Sequence, residues 1–341
     1  MQTRAPRPLA VVALGGNALL RRGEPATAAG QQRSARQAAH ALAAVAGGAR
    51  LVVTHGNGPQ VGLLALKEDA YADGAPYPLD VLDAESEGQI GYVIESALDD
   101  AIDRQEVVTV ITRVVVDADD PAFRTPTKFI GPVYDAERAA HLAREHGWEV
   151  REDGEDWRRV VPSPVPRRIV QLAAVRTLVA GGFLVVCAGG GGVPVVADAG
   201  RLVGVEAVID KDLTSALLAE GLDADLLVLA TDVDAVYVGW GGPDARAIES
   251  ASPAWLRRQT FPEGSMGPKV DAVCGFVEAT GGRAVIGRLA DLAGLVAGDA
   301  GTHVRAAGPG EAEVTYRGIA SADAGTTDAA GRLATAGGPG S

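Results

Sequence analysis

Hydrophobic residues fall along this chain in short, nearly unbroken runs, separated by longer stretches with helical spacing. The runs are Leu9–Leu14, Leu51–Thr54, Val107–Val116, Phe183–Ala188, Leu226–Ala230 and Ala284–Ile286. A strand with one face in water alternates apolar and polar residues. An unbroken run predicts a strand covered on both faces, as in a parallel sheet. Between the runs, Ala35, Ala38, Ala39, Leu42 and Val45 share one helical face. So do Leu213, Ala216 and Leu217, and again Val270, Val273, Phe276 and Val277. Glu85 to Arg104 reads as a longer helix. The alternation predicts an α/β fold, a three-layer α/β/α sandwich around a mainly parallel central sheet.

One stretch breaks this rhythm. Residues 117–165 are more polar, with Pro121, Pro126 and Pro132 near the start and Pro162 and Pro164 near the end. They hold a short helix pattern, Asp135 to His146, and the charged segment Glu149–Arg159. Loops longer than about 12–15 residues are uncommon in a compact domain, so this stretch predicts a small subdomain inserted into a main domain. The main domain is expected over residues 1–305, and residues 306–341, rich in Gly, Ala, Thr and Asp, as a mostly disordered tail. Within that tail Val314-Thr315-Tyr316 could form a brief strand.

Composition narrows the function. A net charge of −13 argues against non-specific binding to nucleic acid or to an anionic membrane. It leaves a small anionic ligand open, because a few local cations and backbone N–H groups can hold a phosphate inside an acidic protein. Cys187 and Cys274 are too few for a disulfide framework and predict reduced, buried thiols. No apolar run approaches the ~20 residues that span a bilayer, and Leu9–Leu14 is too short for a secretion signal. A cytoplasmic protein is expected.

Of the 31 basic residues only Lys67, Lys128, Lys211 and Lys269 are lysine. An exposed Lys usually tolerates replacement by Arg. A Lys presenting one compact ammonium to a phosphate oxygen does not, because guanidinium differs in size and donor geometry. Lys128 lies in Thr125-Pro126-Thr127-Lys128-Phe129-Ile130-Gly131-Pro132. Lys211 lies in Asp210-Lys211-Asp212, and Lys269 closes Gly264-Ser265-Met266-Gly267-Pro268-Lys269. Lys211 opens a helix pattern, where a cation opposes the macrodipole unless an anion sits there too. Asp210 at that start reads equally as a helix cap and as a ligand contact.

Glycine loops follow three of the strand runs. They are Gly15-Gly16-Asn17, His55-Gly56-Asn57-Gly58 and Gly189-Gly190-Gly191-Gly192. Glycine at a strand's carboxyl end lets the backbone pass close to a ligand or to another loop, and the helix that follows offers free N–H groups. None fits a Walker or a dinucleotide fingerprint. Asp232 and Tyr237, in Thr231-Asp232-Val233-Asp234-Ala235-Val236-Tyr237, suit contacts to a nucleotide's base and ribose. The histidines lack metal-ligand spacing, and there is no nucleophile elbow. Lysines, glycine loops and helix starts without a nucleophile–base pair suit phosphoryl transfer, which depends on positioning and charge neutralisation.

The motifs Ala13–Leu19, Thr54–Gly62, Pro126–Tyr134, Val160–Pro166, Cys187–Val195, Gly204–Leu213, Thr231–Tyr237 and Gly264–Val270 occur in one order over residues 9–304. In these segments the chain resembles the carbamate kinases of the amino-acid kinase superfamily. The resemblance implies reversible transfer between carbamoyl phosphate and ADP, giving ATP and carbamate, with Mg²⁺. It implies a homodimer and an inserted subdomain that closes over the substrate. It places Gly15, Gly16, Asn17, Gly56 and Asn57 around the transferring group, with Gly190 and Gly191 in the third glycine loop close by. Lys128 would descend from the insert, Lys211 and Lys269 would hold phosphate oxygens, and Asp212 would organise the lysines. Asp210, Asp232, Tyr237, Ser265 and Met266 would lie on the nucleotide side. Relatives acting on amino-acid carboxylates usually carry a Lys where Ala13 stands, so Lys128 reads as its substitute. Two rivals remain on the sequence alone: a kinase for another small carboxylate or phosphonate, and a non-catalytic nucleotide sensor.

Overall fold

The computed structural model describes residues 7–16, 27–70, 76–103, 105–262 and 265–317. Asn17, Gly264 and the tail beyond Arg317 lie outside the described residues. The central sheet carries Tyr237–Val238, Arg246–Ala251, Thr302–Val304, Arg283–Arg288, Leu226–Thr231, Leu9–Leu14, Arg50–His55, Leu184–Cys187 and Val107–Val110, in that spatial order. From Arg283–Arg288 to Val107–Val110 every neighbouring pair is parallel. Val314–Tyr316 adds an antiparallel strand against Arg246–Ala251.

The unbroken hydrophobic runs have the cause expected of them. Along Leu9–Leu14 every residue is buried, and alternate side chains enter different cores. Val11 and Ala13 pack with Val52, Val185, Leu227 and Ile286, under helices Leu172–Ala180, Lys211–Gly221 and Gly267–Thr280. Ala10, Val12 and Leu14 pack with Leu51, Val53, Val186 and Val228, under Ala28–Ala46, Leu79–Ala101 and Leu292–Ala297. Two apolar faces and two helical layers make the three-layer sandwich.

Two expectations need correction. Val107–Val116 is not one strand. It breaks at Ile111-Thr112 into Val107–Val110, in the central sheet, and Arg113–Val116, in a second sheet with Arg201–Gly204, Val193–Asp198 and Pro166–Ile169. Helix Lys211–Gly221 is not buried through Leu213 and Leu217, which are only partly covered. Its buried residues are Lys211, Asp212, Thr214, Ser215, Ala216, Leu218 and Ala219, because other elements surround its polar first turn as well.

Between Lys128 and Val161 the chain forms a separate antiparallel sheet, Lys128–Tyr134, Asp156–Val161 and Glu149–Asp153, carrying helix Ala136–His146. Asp135 caps that helix through Arg138 N, and Gly147 ends it at φ 68°. The sheet joins the main body where helix Gly58–Ala70 meets strand Lys128–Tyr134. A Cβ placed on Gly62 would lie 2.1 Å from Gly131 Cα, so only glycine permits this approach.

Candidate active site

The carboxyl ends of the central strands converge on the start of helix Lys211–Gly221. Leu9–Leu14 delivers Gly15, whose N–H donates to Ala230 O at 3.0 Å. Arg50–His55 delivers Gly56, where an added Cβ would come within 3.3 Å of Gly16 N and 3.5 Å of Lys211 Cδ. Gly15, Gly16 and Gly56 thus bring two backbone loops and the Lys211 side chain into one small space.

Five charged groups meet there. Asp210 caps the helix: its Oδ1 accepts from Asp212 N at 2.9 Å and Leu213 N at 3.4 Å. Its Oδ2 accepts from Lys128 Nζ at 2.6 Å, so the cap also holds the cation that descends from the inserted sheet. Asp212 accepts from Lys211 Nζ through Oδ1 and from Lys269 Nζ at 3.2 Å through Oδ2. Lys269, in the first turn of helix Gly267–Thr280, also donates to Ser265 O at 3.3 Å. Three ammoniums against two carboxylates leave this cluster with a positive excess, which suits an anionic ligand.

Burial and pairing compete in this cluster. Desolvation would raise the Asp212 pKa, but Lys211 and Lys269 overcome it and hold the carboxyl below its ordinary range. Desolvation likewise opposes ionisation of Asp210, and Lys128 reverses it, leaving Asp210 well below the ordinary range. Desolvation pulls Lys269 down, yet Asp212 outweighs it and its pKa ends raised. Desolvation wins at Lys211, whose pKa is lowered despite Asp212. A buried cation whose own partner is shared with another cation is poised to gain from a phosphate oxygen.

Behind the charges lies a packed support. Gly190 has φ 67°, and a Cβ there would fall 2.2 Å from Asn57 Nδ2. Gly191 has φ 96° and lies against the Ile209 carbonyl. The four-glycine loop therefore makes close approaches to neighbouring loops. Asn57 is buried, and its Nδ2 donates to Asp83 Oδ1 at 2.8 Å and to Ser86 Oγ at 2.9 Å. Tyr237 donates from its hydroxyl to Asp234 Oδ1 at 3.0 Å, and Met266 packs on the core beside Lys269's helix. Asp232 adds to the field that raises Lys269.

The amino acid kinase family profile matches residues 8–288. Carbamate kinase of Rhizobium meliloti is 53% identical over 296 residues, covering 86% of this chain and 91% of that protein. The chain belongs to the amino acid kinase family, among its carbamate kinases. Solved structures agree. Carbamate kinase from Giardia lamblia bound to citric acid superposes with a TM-score of 0.84 at 36% identity, over 89% of this chain and 99% of that one. The same enzyme bound to AMP-PNP gives 0.81 at 36% identity, over 89% and 99%. As a member of this family the chain is a phosphotransferase.

The structure also brings to this cluster three residues that belong to none of the sequence motifs. Asp83, Ser86 and Glu87 are buried polar residues on helix Leu79–Ala101. Glu87 accepts from Gly189 N at 2.9 Å and from Thr112 N at 3.1 Å, tying the glycine loop to the break between the two sheets. Desolvation raises its pKa to about 8. His55 is fully buried, and desolvation lowers its pKa to about 4, so it stands neutral beside Gly56 O, 3.1 Å from Nδ1. Thr54 and Ser215 share a hydrogen bond of 2.6 Å, joining the second strand to the Lys211 helix. A signal for the helix residues existed. Leu79, Leu82, Asp83, Ser86, Glu87 and Ile90 follow one helical stripe, with polar groups where apolar ones were due.

Proposed function

We propose that this chain catalyses reversible phosphoryl transfer between carbamoyl phosphate and ADP, giving ATP and carbamate. The ion-paired set Lys128–Asp210 and Lys211–Asp212–Lys269 carries the reading, because it concentrates three ammoniums at the mouth of glycine loops in an otherwise acidic protein. In the forward direction an ADP β-phosphate oxygen attacks phosphorus. The bond from phosphorus to the carbamoyl oxygen breaks, and carbamate leaves with that electron pair. No proton is abstracted, so no general base is needed. Negative charge spreads over the transferring oxygens, and fixed cations lower the barrier by meeting it there.

Gly15, Gly16 and Gly56 bound the space for the transferring group, which Asn17 and Asn57 are assigned to contact. Lys211 and Lys269 hold phosphate oxygens, and Asp212 fixes both. Gly190 and Gly191 hold the neighbouring loop by close packing. Lys128 shifts from Asp210 to the substrate as the inserted sheet of residues 117–165 closes. Asp232, Tyr237, Ser265 and Met266 meet the nucleotide, and Asp210 stands between the two halves. Among the described residues no group of three His, Cys, Asp or Glu could hold a metal. Mg²⁺ would enter with the nucleotide phosphates, and Asp212 is the carboxylate of the cluster that could hold it through water. The ion would supply charge neutralisation on the nucleotide. No described helix is long and apolar enough to cross a membrane. A cytoplasmic homodimer is the assembly we propose.

The test is ATP formation from carbamoyl phosphate, ADP and Mg²⁺, with Lys211→Met as matched control. Activity lost in the variant supports the reaction and its site. A folded, ADP-binding protein that makes no ATP would overturn the substrate assignment and point to another small carboxylate or phosphonate.

A further inference from the structure

The family match ends at residue 288, yet the chain continues in order well beyond it. Val314–Tyr316 lies antiparallel on Arg246–Ala251, with Tyr316 opposite Ile248. Ser252 N donates to Glu313 O at 2.8 Å, and Arg317 N donates to Ala247 O at 3.0 Å. Arg246 stacks on the Tyr316 ring at 3.6 Å, and Trp255 meets the same ring edge-on at 6.4 Å. Arg258 pairs with Glu313. This segment is therefore a built part of the sheet edge.

It ends in a contact with the loop that leads to Tyr237. Arg317 Nη1 donates to Asp234 Oδ2 at 3.1 Å, and Nη2 reaches Asp234 O at 3.4 Å and Gly301 O at 2.8 Å. The other oxygen of the same carboxylate accepts from the Tyr237 hydroxyl at 3.0 Å. Asp234 thus has Tyr237 on one side and Arg317 on the other. The strand beneath them is shared, since Tyr237 pairs with Ala247 and Ala247 O takes the Arg317 N–H. A planar guanidinium holding a carboxylate and two carbonyls fixes orientation in a way that a single-point cation does not.

We propose that Arg317 is a positioning residue for the nucleotide: the carboxyl-terminal strand braces Asp234, and Asp234 sets Tyr237 against bound ADP or ATP. The inference rests on the reading of Tyr237 as a nucleotide contact. Without the brace the Tyr237 hydroxyl and its loop are free to reorient, and the nucleotide must order them on binding. On the same reading carbamoyl phosphate sits among the lysines and not on this loop, so its binding should be unaffected.

The experiment measures ADP affinity by calorimetry on the full-length protein, together with separate KM values for ADP and carbamoyl phosphate. Arg317→Ala should weaken ADP about three- to tenfold, the reach of one ordinary hydrogen bond between the protein and the nucleotide. The KM for carbamoyl phosphate should stay constant, and Arg317→Lys should recover part of the loss. Arg258→Ala, which removes a different anchor of the same strand, should leave ADP affinity unchanged. In a Tyr237→Phe background the effect of Arg317→Ala should shrink, because both act through Asp234. Unchanged ADP affinity in Arg317→Ala, equal weakening of both substrates, or full additivity with Tyr237→Phe overturns the proposal. If Tyr237→Phe itself leaves ADP affinity intact, it is the underlying placement of Tyr237 that fails. Calorimetry keeps that result readable whatever the phosphoryl donor proves to be.

Discussion

Replacing Lys128 by Ala separates two jobs that one ammonium performs. In the ligand-free protein Lys128 Nζ sits 2.6 Å from Asp210, with side-chain exposures of 27% and 14%. Such a largely buried pair is worth more than an exposed one, about 1–2 kcal/mol once solvent screening and side-chain entropy are counted. Asp210 keeps its two backbone donors after the change, so the helix cap survives. Thermal stability should therefore fall only slightly. Catalysis should fall far more. A fixed cation that meets charge only as it develops is worth roughly 10²–10³ in kcat, or about 3–4 kcal/mol. Initial-rate kinetics on the variant, with the unfolding midpoint in parallel, make the comparison. A loss in kcat and kcat/KM together, at near-native stability, is the expected result. A change confined to KM would mean that Lys128 binds ground state and transition state alike, and the transition-state role would be wrong.

Other outcomes follow from the packing behind the cations. Gly190→Ala places a methyl 2.2 Å from Asn57 Nδ2 at φ 67°. Left-handed strain of about 1–2 kcal/mol and overpacking of about 1–3 kcal/mol should together lower stability by about 2–5 kcal/mol in denaturant titrations. Stability close to that of the parent would show that the loop has slack. Burial raises the Glu87 carboxyl from 4.5 to about 8, so the folded state holds its proton more tightly than the unfolded state. Stability should then decline as pH rises between those two values, and Glu87→Gln should flatten the slope; a parallel slope in both proteins rejects this. Desolvation raises both thiols, Cys274 to about 12 and Cys187 beyond the ordinary range. Neither should react with a thiol reagent in the folded protein at neutral pH, and both should react once it is unfolded. Rapid labelling of the native state would contradict the burial.

The central sheet was legible because strands buried on both faces carry an unmistakable pattern. Leu9–Leu14 and Leu226–Thr231 could scarcely be anything else. The cationic motifs were legible because lysine is rare in this chain. The break at Ile111-Thr112 was not, since Val, Ile and Thr continue smoothly while the chain changes sheets. Contacts at Thr112 hold the turn: Glu87 accepts from Thr112 N at 3.1 Å, and Thr112 O accepts from Val193 N at 2.8 Å. Asp83 and Glu87 escaped for a related reason: acidic residues on a helix are read by default as solvated. Their partners, Asn57 and Gly189, are distant in sequence and become visible only when the loops are brought together. Asp210 stood open between cap and contact, and the structure makes it a cap that also holds Lys128.

The bare contact of Gly62 with Gly131 has a mechanical consequence. Side chains that interlock resist rotation like meshed teeth, as Val61 and Ala65 do with Ile130 beside this point, whereas two backbones in direct contact make a smooth bearing. Lys128 stands three residues from Gly131 on the same strand, a lever of about 10 Å at the usual strand rise. A tilt of about 10° about that bearing would sweep the Lys128 backbone by about 1.7 Å, enough to release a hydrogen bond from Asp210. A methyl at Gly62 would jam the bearing and set the lever at a new resting angle, whereas one at Gly131 would meet ordinary contacts and instead strain a backbone at φ 71°. The closure proposed for Lys128 would thus be governed by two residues that carry no chemistry at all.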